Sequence, residues 1–208
     1  MIKAVILDWS GVLSDDLAIV HETTARLFAR LGMKFMGLPE FRERFDLPYM
    51  DFYKTMGVGM GQRELDRMYK DLFLSGGRRP KPFPFAREVL EMLREKKVKL
   101  AVYSSHPEEL LAKEISEYGF SGFFEVSIGG VQDKRKRIGK LPKKLGATPE
   151  ETLLVGDMAH DIEAGRTAGF RTAAVLSGYH TKERLGREEP NFLLNDIRDL
   201  GRVLEWFS

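Results

Sequence analysis

Residues 2–13 read IKAVILDWSGVL: a short run, apolar but for Lys3 and rich in β-branched side chains, then Asp8, then a turn at Ser10-Gly11. A run of that length bounded by turn residues reads as a buried strand. Three later stretches have the same form. VKLAVY (98–103) ends at Ser104-Ser105, TLLV (152–155) at Gly156-Asp157, and RTAAVL (171–176) at Ser177-Gly178. FFEVSI (123–128), closed by Gly129-Gly130, reads as a fifth strand. Near-continuous apolar runs suit strands covered on both faces, as in a parallel sheet.

Helical patterns lie between these strands. Residues 85–96 place Val89, Leu90 and Leu93 on one face, residues 108–118 do the same with Leu111, Ile115 and Tyr118, and residues 159–168 follow the Gly-Asp turn. The alternation predicts an α/β fold, a doubly wound parallel sheet of Rossmann-like form. One stretch breaks it. From Ser14 to about Arg79 no strand is evident. Leu17, Val20, Leu27, Phe28 and Leu31 mark an amphipathic helix, with Ser14 or Asp15 as its expected N-cap and Gly32 as its stop. Residues 41–45, 49–56 and 62–74 read as further helices, and Arg78-Arg79-Pro80-Lys81-Pro82 as a returning linker. The expected division is a core of residues 1–13 and 81–208 with a helical domain of residues 14–80 inserted in it.

The 208 residues suffice for such a core, which at this size buries roughly 70% of the unfolded surface. Lys plus Arg number 33 and Asp plus Glu 31, a net charge of +2, so the charge balance offers no reason to expect nucleic acid or a membrane surface as partner. The absence of cysteine excludes disulfides and thiolate metal sites. No apolar run approaches the ~18 residues of a spanning helix. A soluble cytoplasmic protein, monomer or homodimer, is expected.

Function is read at the strand ends, because ligands of open parallel sheets bind at the carboxyl ends of the strands. Asp8, Ser104, Asp157 and, one turn on, Asp161 stand there. Three carboxylates in one crevice repel one another, and a hard divalent cation relieves that repulsion. Oxygen-only ligands select Mg²⁺.

With those residues in view, the chain resembles the haloacid dehalogenase superfamily, in particular its phosphoglycolate-phosphatase-like branch with a helical cap. Asp8-Trp9-Ser10-Gly11-Val12-Leu13 is similar to the first motif, usually Asp-x-Asp-Gly-Thr-Leu. Ser104 after its strand matches the second, and Gly156-Asp157 with Asp161 the fourth, Gly-Asp-x-x-x-Asp. The third is a lone Lys about two dozen residues before the fourth; Lys134 fits, with Lys136 a close runner-up. The resemblance implies a Mg²⁺-dependent phosphatase of small phosphorylated metabolites working through an aspartyl phosphate on Asp8. It assigns the metal to the Asp8 carboxylate, the backbone carbonyl of Ser10, Asp157 and Asp161. Ser104 and Lys134 would hold the phosphate, with the N–H groups of Trp9 and Ser105 as further donors. Phe41, Arg42, Arg44, Tyr49, Phe52 and Tyr53 would line the inner face of the cap, Arg42 and Tyr49 binding substrate. His106 and His160 flank the presumed site and are expected as exposed spectators.

One position departs from the pattern. The family's proton donor and acceptor is the second Asp of the first motif, and here it is Ser10. Losing a positioned acid/base typically costs about 10²–10⁴ in rate. A leaving group that needs little protonation, such as an acyl phosphate, would tolerate this. A substitute within chain reach, Asp15, Asp16 or His21, would offset it. The phosphonoacetaldehyde-hydrolase branch has the similar motif Asp-Trp-Ala-Gly-Thr but also needs a cap lysine, for which only Lys54 offers. A true haloacid dehalogenase works without metal and lacks the acidic pair Asp157/Asp161. The non-enzyme alternative is a protein that binds metal or phosphate and acts through a partner.

Overall fold

The computed structural model describes residues 1–207. Its first strand, β1 (Ala4–Leu7), is followed by a two-residue strand β2 (Ser14–Asp15) and four helices, α1 (Leu17–Arg30), α2 (Leu38–Arg44), α3 (Tyr49–Thr55) and α4 (Gln62–Ser75). Strand β3 (Lys81–Pro82) leads back to alternating elements: α5 (Ala86–Glu95), β4 (Lys99–Tyr103), α6 (Glu108–Glu117) and β5 (Val126–Ile128). A short helix α7 (Leu141–Lys144) precedes β6 (Thr152–Gly156), α8 (Ala159–Thr167), β7 (Arg171–Val175), α9 (Lys182–Arg187), β8 (Phe192–Leu194) and α10 (Leu200–Glu205). No helix among the described residues is long and apolar enough to cross a membrane.

Six strands form one parallel sheet in the order β5-β4-β1-β6-β7-β8. The strand order reverses at β1, which creates a crevice at its carboxyl end. The register aims the polar strand ends at that crevice. Leu7 lies opposite Val102 on one side and Val155 on the other, so Asp8, Ser104 and Asp157 emerge within one residue of a common level. Both faces of the sheet are dry. Val5, Leu7, Leu100, Val102 and Val155 pack toward α5 and α10, whereas Ala4, Ile6, Ala101, Tyr103 and Leu154 pack toward Ile138, Leu141 and Phe170. Burial on both sides is why these strands carry no polar alternation.

Two expectations need correction. Ser14 and Asp15 do not cap α1; they form an antiparallel ribbon with β3, in which Asp15 lies opposite Lys81. The N-cap position falls to Asp16, whose side chain makes no capping bond and turns inward instead. The sequence reading also passed over β8, a three-residue edge strand with only partial burial and hence a weak apolar signal.

The ribbon carries both passages of the chain between the sheet and helices α1–α4. Those helices share their own apolar cluster, with Leu27, Phe28, Phe41, Phe52, Tyr53 and Leu65 buried in it. Phe41 sits among the rings of Phe35, Phe45, Phe52 and Tyr179. Met158 and Tyr179, from the sheet side, complete the cluster, so the helices rest directly above the crevice.

Candidate active site

Asp8, Asp157 and Asp161 are buried, and one oxygen from each lies within 4.8 Å of the others. Each is placed by main chain. The Trp9 N–H donates to Asp8 Oδ1 at 2.7 Å, the Tyr179 N–H to Asp157 Oδ2 at 2.6 Å, and the Met158 N–H to Asp161 Oδ2 at 3.1 Å. Asp161 lies in the first turn of α8, where the helix dipole favours an anion.

Lys134 stands among them with no exposed surface. Its Nζ is 2.6 Å from Asp8 Oδ2 and 2.5 Å from Asp161 Oδ1. Lys136, the runner-up, points to solvent, 3.8 Å from Asp133. Burial works against the Lys134 charge, but Asp161 and Asp8 outweigh it and hold its pKa above the ordinary lysine value. The converse holds for the acids. Burial, then the charges of Asp8 and Asp161, push Asp157 well above the carboxylate range, and burial raises Asp161 even against the pull of Lys134. Asp157 Oδ1 is buried without any hydrogen-bond partner. One ammonium among three carboxylates leaves an excess of negative charge around an orphaned oxygen. An all-oxygen donor set with such an excess fits a hard divalent cation, and fits a thiophilic metal poorly.

Ser104 is fully buried at the end of β4, its Oγ accepting the His106 N–H at 3.2 Å and keeping its own proton to donate. Ser105 follows, half-buried, on the same loop. The Trp9 N–H, expected to face phosphate, is engaged by Asp8. The Trp9 indole donates to Glu114 Oε2 at 2.6 Å and stacks on Tyr118. Arg42 and Tyr49 are not brought to the carboxylates. The Arg42 guanidinium is taken up by the carbonyls of Leu176, Tyr179 and His180, and the Tyr49 hydroxyl by Asp66 and Gln62 on the exposed side of the helices.

The sequence reading undervalued three residues. His160 is buried and His106 is only partly exposed, so neither is an exposed spectator. His160 Nε2 accepts the backbone N–H of Lys134 at 3.4 Å, supporting the turn that delivers the lysine. His106 Nε2 lies 3.4 Å from Glu114 Oε1, with both side chains almost wholly buried. Of the three acid/base candidates, His21 is turned to the Met36 carbonyl inside the helical insert and Asp15 is exposed in β2. Only Asp16 adjoins the site. It is buried, receives the Tyr179 hydroxyl at 3.2 Å and meets the Ser10 side chain. Burial lifts its pKa to about 6, against the hydrogen bond from Ser10 and the charge of His106. A strand-end dipeptide gives no signal for any of these contacts; each is made across more than one element.

Residues 5–175 match the family described as haloacid dehalogenase-like hydrolase. A phosphoglycolate phosphatase of Aquifex aeolicus is 32% identical in an alignment covering 98% of this chain and 97% of its own. The pyrophosphatase PpaX of Halalkalibacterium halodurans is 24% identical, with 96% and 95% covered. Among solved structures, a haloacid dehalogenase-like family hydrolase from Streptococcus pneumoniae has the same fold, with a TM-score of 0.82 at 19% identity over 100% of this chain and 99% of that one.

Proposed function

The chain belongs to the haloacid dehalogenase-like hydrolase family, and from that premise we propose that it is a Mg²⁺-dependent phosphatase of small phosphorylated metabolites that works through an aspartyl phosphate on Asp8. The observation that carries this reading is the Asp8–Lys134–Asp161–Asp157 cluster, buried at the point where the strand order reverses. The names of the whole-length relatives support phosphate chemistry. Residues 14–80 act as the cap over this site, and residues 1–13 and 81–208 as its core.

Asp8, Asp157 and Asp161 would hold the cation, with the Ser10 backbone carbonyl as a further oxygen. When bound, Mg²⁺ supplies positive charge that offsets repulsion between the Asp8 carboxylate and an anionic phosphate. The side chains of this chain do the rest. Asp8 attacks phosphorus in line with the leaving oxygen. Lys134 remains cationic throughout and neutralises the phosphoryl oxygens. Ser104 donates its free proton to one of them. Catalysis of this kind is mostly positioning and electrostatics, and the rigid strand ends supply both.

Relatives named for phosphoglycolate direct the substrate search to small carboxylated phosphomonoesters. The phosphonoacetaldehyde-type reading loses support, because Lys54 is largely exposed and faces Asp51 rather than the crevice. Turnover of 2-phosphoglycolate, p-nitrophenyl phosphate and acetyl phosphate, with Mg²⁺ or with EDTA, tests the proposal. Mg²⁺-dependent release of phosphate that falls more than about a thousandfold in Asp8→Asn is expected. Activity indifferent to Mg²⁺, or an Asp8→Asn variant equal to wild type, would overturn it, and no activity on any of the three substrates would favour a binding protein.

A further inference from the structure

Ser10 leaves the proposed reaction without a proton carrier, and the surroundings of the site contain a group built to serve as one. We propose that His106, oriented by Glu114, carries the proton to the leaving oxygen and takes it back from the attacking water. The proposal rests on the phosphatase reading and deepens it.

His106 lies two residues after Ser104, on the loop that meets phosphate in that reading. Its backbone is fixed at both ends: its N–H donates to Ser104 Oγ, and its carbonyl accepts the Gly130 N–H at 2.7 Å. Glu114 Oε1 approaches the imidazole as an ion-pair partner, 3.4 Å from Nε2, and Nε2 is otherwise a buried nitrogen without a hydrogen-bond partner. Glu114 is itself held, through its second oxygen, by the indole of Trp9, the residue next to Asp8. A carboxylate fixed behind an imidazole is the arrangement that orients a base and stabilises its charged form. Three carboxylates bear on the His106 charge. Desolvation opposes it, while Glu114 from α6, Asp16 at the start of α1 and Asp8 just after β1 favour it, with a net rise above the ordinary histidine value. These charges favour the protonated ring, the form that can give a proton to the leaving oxygen. Asp16 is less suited to the task. It is enclosed between Ser10 and the Tyr179 hydroxyl, only 2% exposed, and its charge favours the imidazolium.

The balance closes. As the Asp8 oxygen bonds to phosphorus, the P–O ester bond breaks and the leaving oxygen takes the His106 proton. The neutral imidazole then accepts a proton from water as the water oxygen attacks the aspartyl phosphate. Phosphate departs, and Asp8 and imidazolium are restored. His106 is thus a catalytic residue, and Glu114 a positioning residue.

The test is the ratio of kcat/KM for an alkyl phosphate, 2-phosphoglycolate, to kcat/KM for acetyl phosphate, whose leaving group needs no proton. In His106→Gln the ratio is expected to fall about a hundredfold or more. His106→Asn should repeat this, and stands in for the Gln variant if that variant does not fold. In Glu114→Gln the alkaline limb of the 2-phosphoglycolate profile should move to lower pH, because the imidazolium loses its anion; a purely structural role would not move it. A ratio in both His106 variants within about threefold of wild type overturns the proposal. So does a ratio that falls in Asp16→Asn and not in His106→Gln, which would give the proton to Asp16. Failure of the wild type on both substrates is a different result, and would remove the phosphatase reading itself.

Discussion

Side chains in the crevice are held at tolerances that no larger residue would meet. Gly178 is the clearest case. A Cβ built on it would fall inside the Asp157 carboxylate, whose Oδ2 is already held by the neighbouring Tyr179 N–H. Gly11, at φ 72, comes up against the same carboxylate oxygen, in backbone geometry that favours glycine. Gly178→Ala should therefore displace Asp157. The expected outcome is a folded protein, less stable by about 1–3 kcal/mol, whose Mg²⁺ affinity by calorimetric titration is down at least about tenfold. Unchanged affinity would show that Asp157 is free to move. Lys134 teaches a different lesson at this scale. It belongs to the run Asp133-Lys134-Arg135-Lys136-Arg137, which composition alone reads as a solvated face. Only Lys134 is turned inward, because the 3₁₀ turn at 134–136 packs against α8 and His160 anchors its first N–H.

The elements that meet the cap are tied to it through main-chain atoms. The segment between β7 and α9 is bonded to α2 and the residues after it by Arg42, by Arg184 to the carbonyls of Glu43 and Phe45, and by a Thr181–Glu43 hydrogen bond. His180 is the buried member of this seam. Its Nδ1 accepts the Ala159 N–H at the start of α8, and its Nε2, 2.9 Å from the Phe45 carbonyl, donates there. That tautomer is neutral, and burial, with the nearby Arg184 charge, depresses its pKa to about 3. An unfolded histidine titrates near 6.5. The depressed folded value means that the stability His180 contributes is fully present above about pH 6.5 and is lost as pH falls toward 3. In urea unfolding between about pH 4 and 6, His180→Gln should show a slope of stability against pH shallower than wild type by about 1.4 kcal/mol per pH unit. Parallel slopes would mean that His180 protonates without cost in the folded chain.

For the whole molecule, the uncompensated charge at the crevice links metal to stability. Three carboxylates buried around one ammonium destabilise the fold, and a cation bound only by the folded state reverses this by mass action. At about a hundred times its Kd, Mg²⁺ should raise the unfolding free energy by about 2.7 kcal/mol. A thermal melt should thus shift upward with Mg²⁺ and return with EDTA, and the shift should vanish in Asp157→Asn. A shift that persists in that variant would place the cation elsewhere.

How much of this was legible from the chain differs by kind of feature. The strands of the sheet, other than β8, and the acids that follow β1 and β6 were open to reading in sequence. A strand buried on both faces needs an apolar run whatever its neighbours, and a strand-end motif keeps its spacing because its members lie on contiguous backbone. Lys134 came from the motif spacing of the resembled family, with Lys136 a close runner-up. The ribbon of β2 with β3, the inward turn of Asp16, the burial of His160 and the diversion of Arg42 to main-chain carbonyls were not legible. Each depends on a partner more than a dozen residues away, and a polar side chain has the same letter whether it faces water or a buried neighbour. The sequence by itself determined a parallel α/β sheet with Asp8 at its crevice. The tertiary structure decided which charges surround that aspartate, because Coulomb interaction and desolvation depend on distance and burial, which folding alone sets.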